Sequence, residues 1–166
     1  MFKVNDYIVC ASNGVCKLIN IEVPSMSICD EEVQYYKLEP IYENESVLYI
    51  PVNNDKIVMR KVVSENEAKE LIKSIPSIEL LYFDSDKGYD QKYKEIMHKY
   101  DCREWLKIIK TSHLRKKERL AEGKKGTYVD DKYLKMAEDY LVGEFAIALN
   151  MSKEEVRDYV VKEFKK

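Results

Sequence analysis

The sequence predicts an α+β chain, a small antiparallel β domain followed by an all-helical one, on three observations. Up to about residue 63 the apolar residues fall in short β-branched and aromatic pieces bounded by turn signals. From Ser64 onward they recur at helical spacing, and helix-start signatures stand at Ser64 and Ser152. At 166 residues, 45% apolar and 35% charged, the chain can bury a core in one ordinary domain or two small ones. Thirteen Tyr against five Gly and four Pro argue against disorder. No stretch approaches the roughly 20 uncharged apolar residues of a membrane span. The opening Met1-Phe2-Lys3-Val4-Asn5-Asp6 lacks the charged-then-apolar order of a signal peptide, so a cytoplasmic protein is expected.

The β pieces are Tyr7 to Ala11, Gly14 to Ile21, Val33 to Leu38, Val47 to Val52 and Ile57 to Val63. Asn13-Gly14 suits a type I′ hairpin turn, because both residues tolerate the positive φ it needs. Five such short strands suggest a strongly curved barrel of the SH3 or Tudor kind, since a flat sheet this small leaves one face poorly covered. Such barrels are commonly binding modules. The domain boundary is set at residues 1–63 and 64–166.

In the second half, Ser64-Glu65-Asn66-Glu67 forms a capping box that opens a short helix to about Ser74, with Pro76 ending it. Tyr89, Tyr93, Ile96, Met97 and Tyr100 then make an amphipathic stripe. A third helix runs from about Asp101 to Ala121 through Trp105, Ile108, Ile109 and Leu114, stopped by Gly123 and Gly126. A fourth carries Tyr133, Leu134, Ala137, Tyr140, Leu141, Phe145 and Ala148 on one side, and Ser152-Lys153-Glu154-Glu155 opens the last.

The overall charge of −2 conceals an asymmetry: residues 1 to 83 carry net −5 and residues 84 to 166 net +3. Within Arg103 to Lys125, nine basic residues face three acidic ones. This is either a solvated helix face or an attractor for a polyanion. Cys10, Cys16, Cys29 and Cys102 form no C-x-x-C pair, and two His cannot complete the usual zinc spacings, so neither metal nor cofactor is expected. His98, Asp101, Cys102 and His113 could supply a nucleophile and base only if the fold drew them together. With no Gly-rich phosphate loop, G-x-S-x-G elbow or H-E-x-x-H pair, the expectation is a protein that is not an enzyme and has no small-molecule substrate.

Taken in order, Phe2-Lys3-Val4-Asn5-Asp6, Asn13-Gly14-Val15, Ile21-Glu22, Tyr35-Tyr36-Lys37-Leu38, Ile50-Pro51-Val52 and Met59-Arg60-Lys61-Val62-Val63 resemble the N-terminal module of the CarD/CdnL family of bacterial transcription regulators. Tyr89-Asp90-Gln91-Lys92-Tyr93-Lys94 and Leu141-Val142-Gly143-Glu144-Phe145-Ala146 extend the resemblance into the helical half. The order and spacing carry it, not one motif. It implies a Tudor-like module that binds the RNA polymerase β subunit, a helical domain that touches promoter DNA, and a cytoplasmic protein brought to the nucleoid through polymerase. Transcription-repair coupling factors share the module, but 166 residues leave no room for their helicase motor, and no basic AT-hook-like tail follows, so the short two-domain form is expected.

Two departures shape the expected site. Tyr89 stands where the family usually has a Trp at the DNA junction, and is expected as an exposed ring at a helix start, with Lys92 and Lys94 beside it. Arg115, Lys116 and Lys132 are the further candidates for holding phosphates. Pro24 and Tyr49 stand where some members use arginines against polymerase, so an apolar contact through Met26, Val47 and Tyr49 is expected instead. The resemblance implies stabilisation of the open promoter complex at the upstream edge of the bubble, with weak minor-groove contact and no base-specific readout. The plainer readings are a Tyr89 that caps the helical core, a basic cluster that is only solvated, and Met26 and Tyr49 as ordinary strand and hairpin-tip residues. A protein-interaction adaptor with a different partner and a merely structural helical domain is the alternative function.

Overall fold

The computed structural model describes residues 1–25, 33–43 and 46–166 and divides into two compact units, Met1–Val62 and Val63–Lys166. The first is a five-stranded antiparallel sheet of β1 (Tyr7–Cys10), β2 (Gly14–Glu22), β3 (Tyr35–Pro40), β4 (Leu48–Pro51) and β5 (Met59–Lys61), in the order β4-β3-β2-β1-β5. Each sequence piece yields a strand, but the expected barrel is corrected: the sheet is not closed, and β4 and β5 form its two edges. Closure requires edge strands to pair along a stagger. Edges of four and three residues offer little ladder for it.

The main irregularity of the ladder lies within β2. Its register against β3 shifts between Leu18 and Asn20, and this irregularity resets the inward phase, so that both Leu18 and Ile21 reach the core. That core comprises Ile8, Cys10, Cys16, Leu18, Tyr36, Leu38 and Ile50, with Phe2, Ile21, Leu48, Val52 and Met59 packed against it. The β1–β2 connection also differs from the two-residue turn expected. Cys10 pairs with Gly14 across a three-residue loop, closed by the Asn13 N–H to the Cys10 carbonyl at 3.1 Å, with positive φ at Ser12 (69°) and Gly14 (71°). Burial pushes the Cys10 thiol up, and the Cys16 thiol to about 12. Both are inert packing groups.

The second unit has five helices: α1 (Glu65–Lys73), α2 (Asp86–Met97), α3 (Cys102–Ala121), α4 (Tyr128–Leu149) and α5 (Lys153–Phe164), with a 3-10 turn at Ile75–Ser77. Each helix start is capped by a side chain: Ser64 with the full capping box, Ser85, Asp101, Thr127 and Ser152. Gly123 at φ 77° follows the end of α3, and Asn150 at φ 53° ends α4. The α2 stripe is buried along its length, from Tyr89 to Tyr100. Trp105 and Phe145 are fully buried, and Tyr140 stacks on Trp105 at 5.4 Å between centroids. Among the described residues, no helix is long and apolar enough to cross a membrane.

Candidate functional site

The helical unit is organised around a buried carboxylate. Asp130, on the first turn of α4 and 1% exposed, accepts the Tyr93 hydroxyl at 3.0 Å, the Thr127 hydroxyl at 2.8 Å and the Arg115 Nε at 3.0 and 3.1 Å. The carboxylate is thereby both neutralised and hydrogen-bonded, as a buried charge requires. Arg115 also lies with its guanidinium carbon 3.5 Å from the centroid of the Tyr89 ring. Burial, and then the Asp130 charge and hydrogen bond, raise the Tyr93 phenol, against the opposing pull of Arg115.

This arrangement corrects the expected exposure of Tyr89. The ring is 5% exposed, packed edge-on by Phe83 at 5.1 Å, tilted against Tyr93 at 5.7 Å and covered by Arg115. Arg115, its side chain 18% exposed, is paired through Nε with Asp130, and little of the Tyr89 ring is left to solvent. The physical reason is the i, i+4 spacing of Tyr89 and Tyr93, which turns both rings inward.

The remaining DNA candidates lie outside this network. Lys92 pairs with Glu95 at 3.5 Å and Lys116 with Asp131 at 3.3 Å, both on the surface. Lys94 and Lys132 are exposed, Lys132 passing over the Tyr133 ring at 5.2 Å. The Arg103–Lys125 run is less available than its charge suggests. Lys107 pairs with Glu104, Lys124 with Glu122, and Arg119 Nε donates to the Lys125 carbonyl. Lys110 donates to the carbonyls of Ile75, Pro76 and Ile78 at 2.9 to 3.0 Å, closing the 3-10 turn.

Sequence reasoning missed the two buried carboxylates of α4. Thr127-x-x-Asp130 is a readable helix-start signature that would have located Asp130. Glu144, fully buried, accepts from the Val63 amide at 2.9 Å and the Cys102 thiol at 3.2 Å, tying the entry of the helical unit to α3 and α4. No local signal marks it. The thiol of Cys102 is thus turned inward, while His113 faces Glu138 and Phe164. The two stand eleven positions apart on α3, about 16 Å along its axis. Cys102 and His113 are not brought together. Among the described residues, no three His, Cys, Asp or Glu are grouped to hold a metal.

In the β unit, Met26 lies outside the described residues. Val47, 45% exposed, immediately precedes the edge strand β4. Tyr49, within β4 and opposite Lys37, is half-buried, its hydroxyl donating to Glu22 at 3.4 Å with the Lys37 ammonium 6.0 Å from its ring. Val47 and Tyr49 therefore stand together on one edge of the sheet.

The β unit thus offers an open sheet edge at β4, and the helical unit offers surface lysines around a buried carboxylate. Residues 2–63 match the family model of the CarD-like/TRCF RID domain. The RID domain is a polymerase β-interacting module, a protein-interaction domain and not a catalytic one. No curated protein matches the chain.

Proposed function

We propose that the chain is a short, two-domain regulator of the CarD/CdnL type. Residues 1–63 anchor it to the RNA polymerase β subunit, and residues 64–166 contact promoter DNA at the upstream edge of the bubble. The observation that carries this reading is the RID match over a sheet that leaves β4 as an open edge. Edge strands bind partners by strand addition, and Val47 and Tyr49 supply apolar contacts at this edge, with Met26 assigned to the same contact from sequence alone. Lys92, Lys94, Lys116 and Lys132 hold phosphates. Tyr89 and Arg115, named beside them from sequence, act from within by fixing α2 against α3 and α4.

A protein that binds the open complex better than the closed one lengthens the life of the open state, by no more than its differential affinity. About 1 to 3 kcal/mol is the scale of such a coupling. The test is a pull-down of the chain with purified polymerase, with and without promoter DNA. Polymerase retained, and DNA retained only with it, supports the reading; no polymerase overturns it. Free duplex DNA should bind weakly, with a salt slope of about −2.7 to −4.5 for three to five phosphates. Polymerase capture with no DNA dependence and no effect on the open complex would favour the adaptor reading.

A further inference from the structure

With Tyr89 buried, the helical unit still presents two exposed rings, Tyr82 at 81% and Tyr128 at 79%. A lone exposed aromatic needs no explanation by itself. The surroundings separate the two. Tyr82 sits in the segment between Glu79 and Asp84, whose charge repels a phosphate backbone. Tyr128, on the first turn of α4, follows Lys124 and Lys125, and Lys132 stands one turn further on the same side.

The carboxylates near Tyr128 are largely taken. Asp130 is buried under Arg115, Asp131 pairs with Lys116, and Glu122 pairs with Lys124. Lys125 and Lys132 have no carboxylate within ion-pair distance among the described residues. The patch also continues onto α2. Burial, and then the nearby Asp90 and Tyr128, raise the Tyr133 phenol, and Lys94 lies four residues beyond Asp90 on α2. An exposed ring bordered by uncompensated lysines is the arrangement that binds single strands, one base stacking while flanking phosphates are held.

We propose that Tyr128 is the stacking platform for an unpaired base of melted promoter DNA, with Lys125 and Lys132 holding the adjacent phosphates. This rests on the DNA contact assigned above. It replaces a wedge between paired bases with capture of a base already freed by melting, whose binding carries no unstacking cost to the duplex.

The test uses the full chain with polymerase and promoter DNA, reading the decay of heparin-resistant complexes. Tyr128→Ala should shorten their lifetime by at least about fivefold, the low end of base–aromatic stacking. Tyr128→Trp should preserve or lengthen it, Tyr82→Ala should leave it unchanged, and Lys125→Glu with Lys132→Glu should shorten it. Tyr128→Leu keeps bulk without the π face and should behave as Ala, with an unchanged melting temperature. A 2-aminopurine single strand should change fluorescence with the native chain and not with the Leu variant. If the lysine variant shortens the lifetime but Tyr128→Ala and Tyr128→Leu do not, the DNA reading stands and the stacking platform is overturned. If none of these variants has an effect while polymerase is still bound, the DNA contact itself is overturned. Equal losses from Tyr82→Ala and Tyr128→Ala would also overturn the assignment.

Discussion

The two units bury their interiors in opposite ways. Among the described residues, the β unit buries no charged side chain, and its core is aliphatic, aromatic and thiol. The helical unit buries Asp130 and Glu144 on a single helix. An apolar core tolerates repacking, whereas a buried charge tolerates only the geometry that satisfies it. The β unit therefore keeps its distinctive chemistry at its edges, and the helical unit uses polar chemistry internally to set how its helices meet.

The strongest test of that contrast is to break the buried pair. Arg115→Ala or Asp130→Ala should cost about 3 to 5 kcal/mol, because the partner charge is left buried and unpaired. Arg115→Met combined with Asp130→Leu should recover much of the loss. Urea unfolding followed by the fluorescence of Trp105, the single Trp of the chain and fully buried, reports the helical unit. An equal loss in polymerase binding would break the distinction between units.

Tyr89→Ala should cost about 3 kcal/mol by the same measurement, as removal of a buried aromatic does. An unchanged midpoint would return the ring to the surface. Alkali should separate the units next. Cys16 is raised from 9.0 to about 12, so the folded form retains a proton that the unfolded chain releases, and the β unit loses stability as pH rises from 9 towards 12. The raised Tyr93 gives the helical unit the same sign of loss, starting only above pH 10.0. Circular dichroism of residues 1–62 and Trp105 fluorescence of the whole chain, each against pH, check this order. The smallest stability effect belongs to β4: Val47→Asp and Tyr49→Ala should each shift unfolding by about 1 kcal/mol or less. Both should weaken polymerase binding about tenfold in a titration.

How much of this was legible in the sequence depended on distance along the chain. Strand pieces, helix periods and the caps at Ser64 and Ser152 were readable because each is written within a few residues. The Asn13-Gly14 turn was readable as a turn, but its three-residue length depends on the pairing of Cys10 with Gly14. Sheet closure was not readable, since it is decided by whether β4 meets β5. Tyr89 was the instructive error: its stripe with Tyr93 placed it inward, while the family position drew it outward. The group that covers it, Arg115, comes from another helix, and no local pattern announces that contact. Glu144 illustrates the same limit, because its partners Val63 and Cys102 are far away in sequence.

Lys110 shows what this means for exchange of one basic residue for another. Its three N–H donors converge on the carbonyls of Ile75, Pro76 and Ile78, a tripod that a tetrahedral ammonium can serve. A guanidinium is flat, and its donors lie in one plane. Exchange of Lys for Arg is therefore neutral over most of the exposed face of α3, but at this position it keeps the charge and loses the shape. A count of charges over Arg103 to Lys125 is blind to that distinction.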